Sequence, residues 1–135
     1  MASVCAPVSA VWNEFRIVPD RDGTPASKGK LRIDTGPDAQ GNITGHRLDN
    51  ANVPQELFTG KCRTINSKHI IDFTIFMDNA LYFFAGFITQ VSASLFLLDG
   101  SYYVVYKAGP GPGLVGALVA EPGDTGGWGG TQGGA

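Results

Sequence analysis

From His69 to Met77 apolar and polar side chains take turns: Ile71, Phe73, Ile75 and Met77 fall on one side, Asp72 and Thr74 on the other. A period of two predicts a half-buried strand. Shorter stretches of the same kind lie upstream: Val11 to Val18, Lys30 to Asp34, Asn42 to Leu48 and Leu57 to Arg63. Gly60, inside the last of these, marks a bulge or a bend. Leu81 to Ile88 is aromatic and apolar, which suits a strand better than a helix, where ring side chains lose freedom against the preceding turn. Leu95 to Leu98 and Ser101 to Lys107 follow, with Asp99-Gly100 between them as a two-residue hairpin turn. Pro19, Asp22-Gly23, the loop from Gly36 to Gly41, Pro54 and Asp78-Asn79 punctuate the rest. No segment carries a helical period. Eight short strands in succession predict an all-β fold, an eight-stranded antiparallel up-and-down barrel, because closure removes the open edges that a flat meander leaves.

One stretch permits a different reading. Asn79 to Leu98 is twenty residues without a charge, about the length of a membrane-spanning helix. Thr89 to Ser94 interrupts it with small polar residues, and its flanks are Asp78 and Asp99 instead of Lys or Arg. Barrel strands account for it better, so no membrane span is expected.

Composition changes the picture at the C-terminus. Residues 109–135 contain eleven glycines together with Pro110, Pro112 and Pro122. This divides the chain into a barrel domain, 1–108, and a Gly/Pro-rich tail, 109–135. Leu114 to Ala120 offers one extra strand or an apolar patch. The final stretch is too poor in side chains to build a core of its own. It reads as a spacer, or as a segment that docks Trp128 on a neighbouring chain.

Net charge is −2. Nine of the ten basic residues precede Ile70, but seven acidic ones share that half, a solvated mixture and not a phosphate-binding stripe. Nucleic acid is therefore not an expected partner. The first twelve residues lack the basic start and strong apolar core of a signal peptide, which leaves both a cytoplasmic protein and one secreted in mature form open. Cys5 and Cys62 are too few for a Cys-rich metal site; they either pair or stand as independent thiols. Asn42-Ile43-Thr44 is a glycosylation sequon that matters only on a secreted chain, and otherwise a turn entering a strand.

No nucleotide, metalloprotease or serine-hydrolase motif is present. The two histidines, His46 and His69, are fewer than a metal site needs, so neither metal nor cofactor is expected. Asp72 and Asp78 suit a wet strand face and a turn better than an acid–base pair. The rings from Tyr82 to Tyr106 fill a barrel or line a cup for a small ligand. Alternation allows both, with Phe84 and Phe96 inward and Phe83 and Phe87 at an oligomer interface.

Gly41-Asn42-Ile43-Thr44-Gly45, then Leu57-Phe58-Thr59-Gly60-Lys61, Phe73-Thr74-Ile75, Phe83 to Phe87 and Leu95 to Leu98 together resemble the strands of avidins, over roughly residues 11–106. Trp12-Asn13 stands near that family's opening Trp-x-Asn. The resemblance implies a homodimeric or homotetrameric eight-stranded barrel that binds biotin at one open end. Carried over by position, Asn13 would bond the ureido group, Phe84 would wall the pocket, Phe96 would replace a Trp, and Tyr82 would occupy the place of a ligand-bonding Thr. Met77 or Phe76 replaces a second Trp wall, and the late segment with its Asn or Asp ligand has only Tyr106-Lys107-Ala108-Gly109 as its nearest remnant, which implies weakened biotin binding. The expected function is non-enzymatic binding of a small molecule. The rivals are a carbohydrate- or protein-binding surface module with a filled barrel, and a small-barrel enzyme using Asp72, Tyr82 or His69.

Overall fold

Alternation along each strand places one set of side chains inside the barrel and the other on its wall. The computed structural model describes residues 11–20, 23–77, 79–93, 95–107, 114–115, 118–119 and 122–133. Its strands are β1 (Val11–Pro19), β2 (Ala26–Ser27), β3 (Lys30–Thr35), β4 (Asn42–Leu48), β5 (Pro54–Ile65) and β6 (Lys68–Met77). They continue as β7 (Ala80–Gln90), β8 (Leu95–Lys107), β9 (Leu114–Val115), β10 (Leu118–Val119) and β11 (Thr125–Gly133). Sheet order is β11-β8-β7-β6-β5-β4-β3-β1-β2, and β11 also pairs with β1. Eight antiparallel strands thus close a barrel, and β2 lies beside β1 as a short extra strand. β9 and β10 pair with each other as a separate two-stranded ladder. No helix among the described residues is long and apolar enough to cross a membrane; within the uncharged stretch lie β7 and the start of β8.

The barrel has its expected strand number by an unexpected route. Asp99-Gly100 is not a turn: β8 runs straight through it from Leu95 to Lys107. Gly100 answers to close packing instead. A Cβ there would lie 2.7 Å from the Trp128 Nε1 atom and 2.5 Å from the Gly86 Cα. The hairpin turn between β7 and β8 falls in the polar interruption, where the Val91 N–H donates to Leu95 O. The eighth barrel strand is β11, drawn from the Gly-rich segment that composition assigned to a tail. At Gly126 a neighbouring ring occupies the side-chain space, a Cβ there lying 2.7 Å from Tyr102 Cζ. The segment adds one large side chain to a core built by the other strands, and needs none of its own.

Rings fill the interior. Phe84 contacts Phe73 (centroids 5.0 Å, stacked), Phe15 (5.5 Å), Trp128 (5.2 Å) and Tyr102 (5.7 Å). Phe58 extends the cluster at 4.8 Å from Phe73. Such ring pairs add about 0.5–1.5 kcal/mol each beyond the area they bury. At one end of the barrel, here the lower mouth, Arg47 makes a bidentate pair with Glu56 and donates to Lys28 O at 2.9 Å. The upper mouth carries the β5–β6 turn, where Asn66 and Ser67 both have positive φ, as a two-residue hairpin with strand-matching twist requires. Cys62, 2% exposed, is disulfide-bonded; Cys5, the other cysteine of the chain, lies outside the described residues.

Candidate functional site

The residues expected to bind a ligand inside the barrel do not converge. Tyr82 and Phe84 touch, with ring centroids 5.7 Å apart and nearly parallel, and both are 0% exposed. Phe96 lies on the same inward face but in the register row of Gln90, six residues from Phe84 along β7, about 20 Å at about 3.4 Å per residue. It packs half-covered against the core at the upper mouth. Asn13 is half-buried on the other side of β1. Trp12 takes the inward place, and Glu14, at φ 58, inserts a bulge before Phe15 turns inward again. The missing residue between Trp and Asn thus has a structural consequence: Asn13 shares a register row with Thr131 and Leu97 on the outer wall.

At the upper mouth, inward positions carry Phe96 with Gln90 and Gln132 as its register partners. Thr64 Oγ1 and His69 Nδ1 lie 2.9 Å apart beside them. Trp12, on the inward face of β1, is 1% exposed, and its indole N–H has no hydrogen-bond partner among the described residues. A buried donor left unpaired costs about 1–3 kcal/mol.

The alternate residues of the same strands form a second surface. Phe83, Phe87 and Tyr103 point outward and are 40%, 55% and 46% exposed. Phe83 and Tyr103 are register partners, as are Phe87 and Asp99. Between those two rows runs a row of small residues, Ala85, Ser101 and Gly127. Lower on the wall, Phe76 and Tyr106 meet at 6.3 Å. Monomers seldom leave so many neighbouring rings uncovered without a use.

The remaining polar groups do not assemble a reaction site. Asp72 sits on the outer wall, 3.3 Å from Arg63 Nη2. Tyr82 is in the core and His69 at the mouth, so these three are on separate surfaces. Asp78 lies outside the described residues. On the outer face of β3 and β4, Asp34 accepts from Arg32 at 2.6 Å and pairs with His46. Burial pushes its carboxyl up, but the bonds and charges of Arg32 and His46 outweigh that and hold it below the usual range. Among the described residues, no three of His, Cys, Asp and Glu stand together in a way that holds a metal ion.

Trp128 is the residue that sequence reasoning misplaced most. Glycine content hid its strand; the visible signal was the apolar Trp itself, isolated among small residues. Comparison of the chain with protein-family models, curated proteins and solved structures finds no match.

Proposed function

We propose that the protein is a non-enzymatic binding module that works from the outer wall of β7 and β8, the barrel serving as a rigid support. One observation carries this reading: ring side chains alternate between a sealed interior, Tyr82 and Phe84 at 0% exposure, and an open wall, Phe83, Phe87 and Tyr103 at 40–55%. Interior rings are committed to packing, while the wall rings are free to bury area against a ligand. Their backbone is held by ladders on both sides, so little ordering cost remains at binding. Nile red, a neutral fluorescent probe, tests the reading. Its binding is expected to fall when Phe83, Phe87 and Tyr103 are replaced together by Ser, with the melting temperature unchanged. Probe binding that survives this triple variant and is lost in Phe96→Ser refutes it.

A second reading follows from the avidin resemblance and is favoured by the buried Trp12 indole, without a hydrogen-bond partner among the described residues, and by the half-covered Phe96. In it a small molecule enters the upper mouth, and Phe83 and Phe87 are covered in a homodimer or homotetramer. Calorimetric titration with biotin and solution mass test it. A monomer that gives no heat and no rise in melting temperature excludes it.

A further inference from the structure

We infer that the outer wall of β7 and β8 binds a linear oligosaccharide of neutral hexopyranose units, laid along the strands. This rests on the outer-wall reading and adds the chemistry of the ligand. Two depressions follow each other up the wall. The lower, of about 540 Å³, has Phe83 and Tyr103 as its wall, Ala85, Ser101 and Gly127 as its floor, and Asp20 with Thr125 at one end. The upper, of about 550 Å³, begins on the wall at Phe87, Thr89 and Asp99 and runs over the rim to Lys68, His69 and Gln90 at the mouth.

A pyranose ring has two faces of C–H bonds and a perimeter of hydroxyls. It needs a flat apolar platform beneath, and donors and acceptors at its edge, which is how small-ligand sites are generally built. Each depression supplies that combination. Tyr103 and Phe87 are about half exposed, so an aromatic face is available in both. The floor of methyl, hydroxymethyl and glycine leaves width for a ring to lie down. Asp20 is positioned before any ligand arrives: it accepts from the Thr125 hydroxyl at 2.7 Å, and its own N–H donates to Thr125 O at 3.0 Å. Ser101 and Asp99 continue the polar edge upward. Phe83 and Phe87 are four residues apart on β7, about 14 Å at about 3.4 Å per residue, so the platforms serve separate sugars of one chain.

Other occupants fit less well. Asp20 repels an anionic ligand at the lower depression, and at the upper one the charges of Lys68 and Asp99 offset each other, so a neutral ligand suits the pair. A protein partner prefers an apolar centre depleted of charge, whereas Asp20 and Asp99 are interleaved with these rings.

Calorimetric titration of the full chain with cellohexaose, maltohexaose and chitohexaose tests the inference. One of the three is expected to bind, Tyr103→Ala and Phe87→Ala each weakening it about tenfold or more. Val53→Ser, in the distant β4–β5 turn, should leave binding unchanged. Absence of heat with all three sugars, or binding that both ring variants leave intact, overturns the inference. Nile red separates the two levels: probe binding that depends on Phe87 with no sugar bound overturns only the oligosaccharide, and probe binding indifferent to the wall overturns the outer-wall reading as well.

Discussion

Replacing Trp128 by Ala removes the only large side chain that β11 puts into the core. The indole is 3% exposed and meets Phe15, Phe73 and Phe84 edge-on at 6.2, 5.3 and 5.2 Å. Its Nε1 donates to Ala85 O at 3.1 Å. Truncating a buried Trp costs about 3–5 kcal/mol through lost transfer energy and the cavity left behind. The neighbouring rings are held by their own strands and cannot collapse into the space. The Ala85 carbonyl also loses a bond worth about 1 kcal/mol net. The expected loss is therefore about 4 kcal/mol, a large share of the roughly 5–15 kcal/mol that holds a domain together. Trp128→Phe keeps a ring and loses the hydrogen bond with part of the area, for about 1–2 kcal/mol. Gly100→Ala should approach the cost of Trp128→Ala, because its methyl enters the space of the same indole. Urea denaturation followed by far-ultraviolet circular dichroism is the assay, since Trp12 remains and complicates fluorescence. A loss below about 1 kcal/mol for Trp128→Ala, well under the range for a buried Trp, would refute β11 as the closing strand and return residues 125–133 to a tail.

Phe84→Ala should cost about 3–5 kcal/mol and Phe87→Ala less than about 0.5 kcal/mol, although both are Phe on one strand; equal losses would contradict the alternation on which the outer-wall site depends. Arg47→Met breaks the bidentate pair with Glu56 at the lower mouth and should cost about 1.5–3 kcal/mol. Arg47→Met combined with Glu56→Leu should recover most of that, because no charge is left unpaired; thermal denaturation of the two variants checks it. Asp34 has a carboxyl pKa below its unfolded value, so it contributes stability that is fully present above about pH 4, the unfolded pKa, and is lost as pH falls through the lower folded value. The urea midpoint of Asp34→Asn should therefore drop less than that of the unmodified chain between pH 5 and pH 2, as linkage requires; parallel curves would count against the Arg32–Asp34–His46 cluster.

Several parts of this arrangement are legible without coordinates. The period of two in β6 and β7 identifies strands and their two faces, because successive residues of a strand point oppositely. It also separates Phe84 from Phe83 and Phe87 correctly in burial. The turn at Asn79 is legible too, since this residue takes the positive φ (63°) that Asx residues tolerate. Asp99-Gly100 was misleading for a physical reason. A hairpin turn and a close approach of a neighbouring strand both favour glycine, as at Gly100 against Ala85 O, Gly86 Cα and the Trp128 indole, and local sequence does not tell them apart. Trp12-Asn13 was misleading in another way, because the bulge at Glu14 decides which of the two faces inward, and a bulge is set by the pairing of β1 with both β3 and β11.

What the sequence by itself determined is the class of the fold and the two-sidedness of its strands. Both follow from local chemistry: side-chain alternation, ring-rich strands and Asx or Gly turns act over a few residues. Only the tertiary structure decided which eight strands close the barrel, that the interior is filled, and that Asn13, Phe84 and Phe96 do not meet. Those outcomes depend on register between segments as distant as β1 and β11, where Trp128 of the Gly-rich strand packs among rings that the other strands supply.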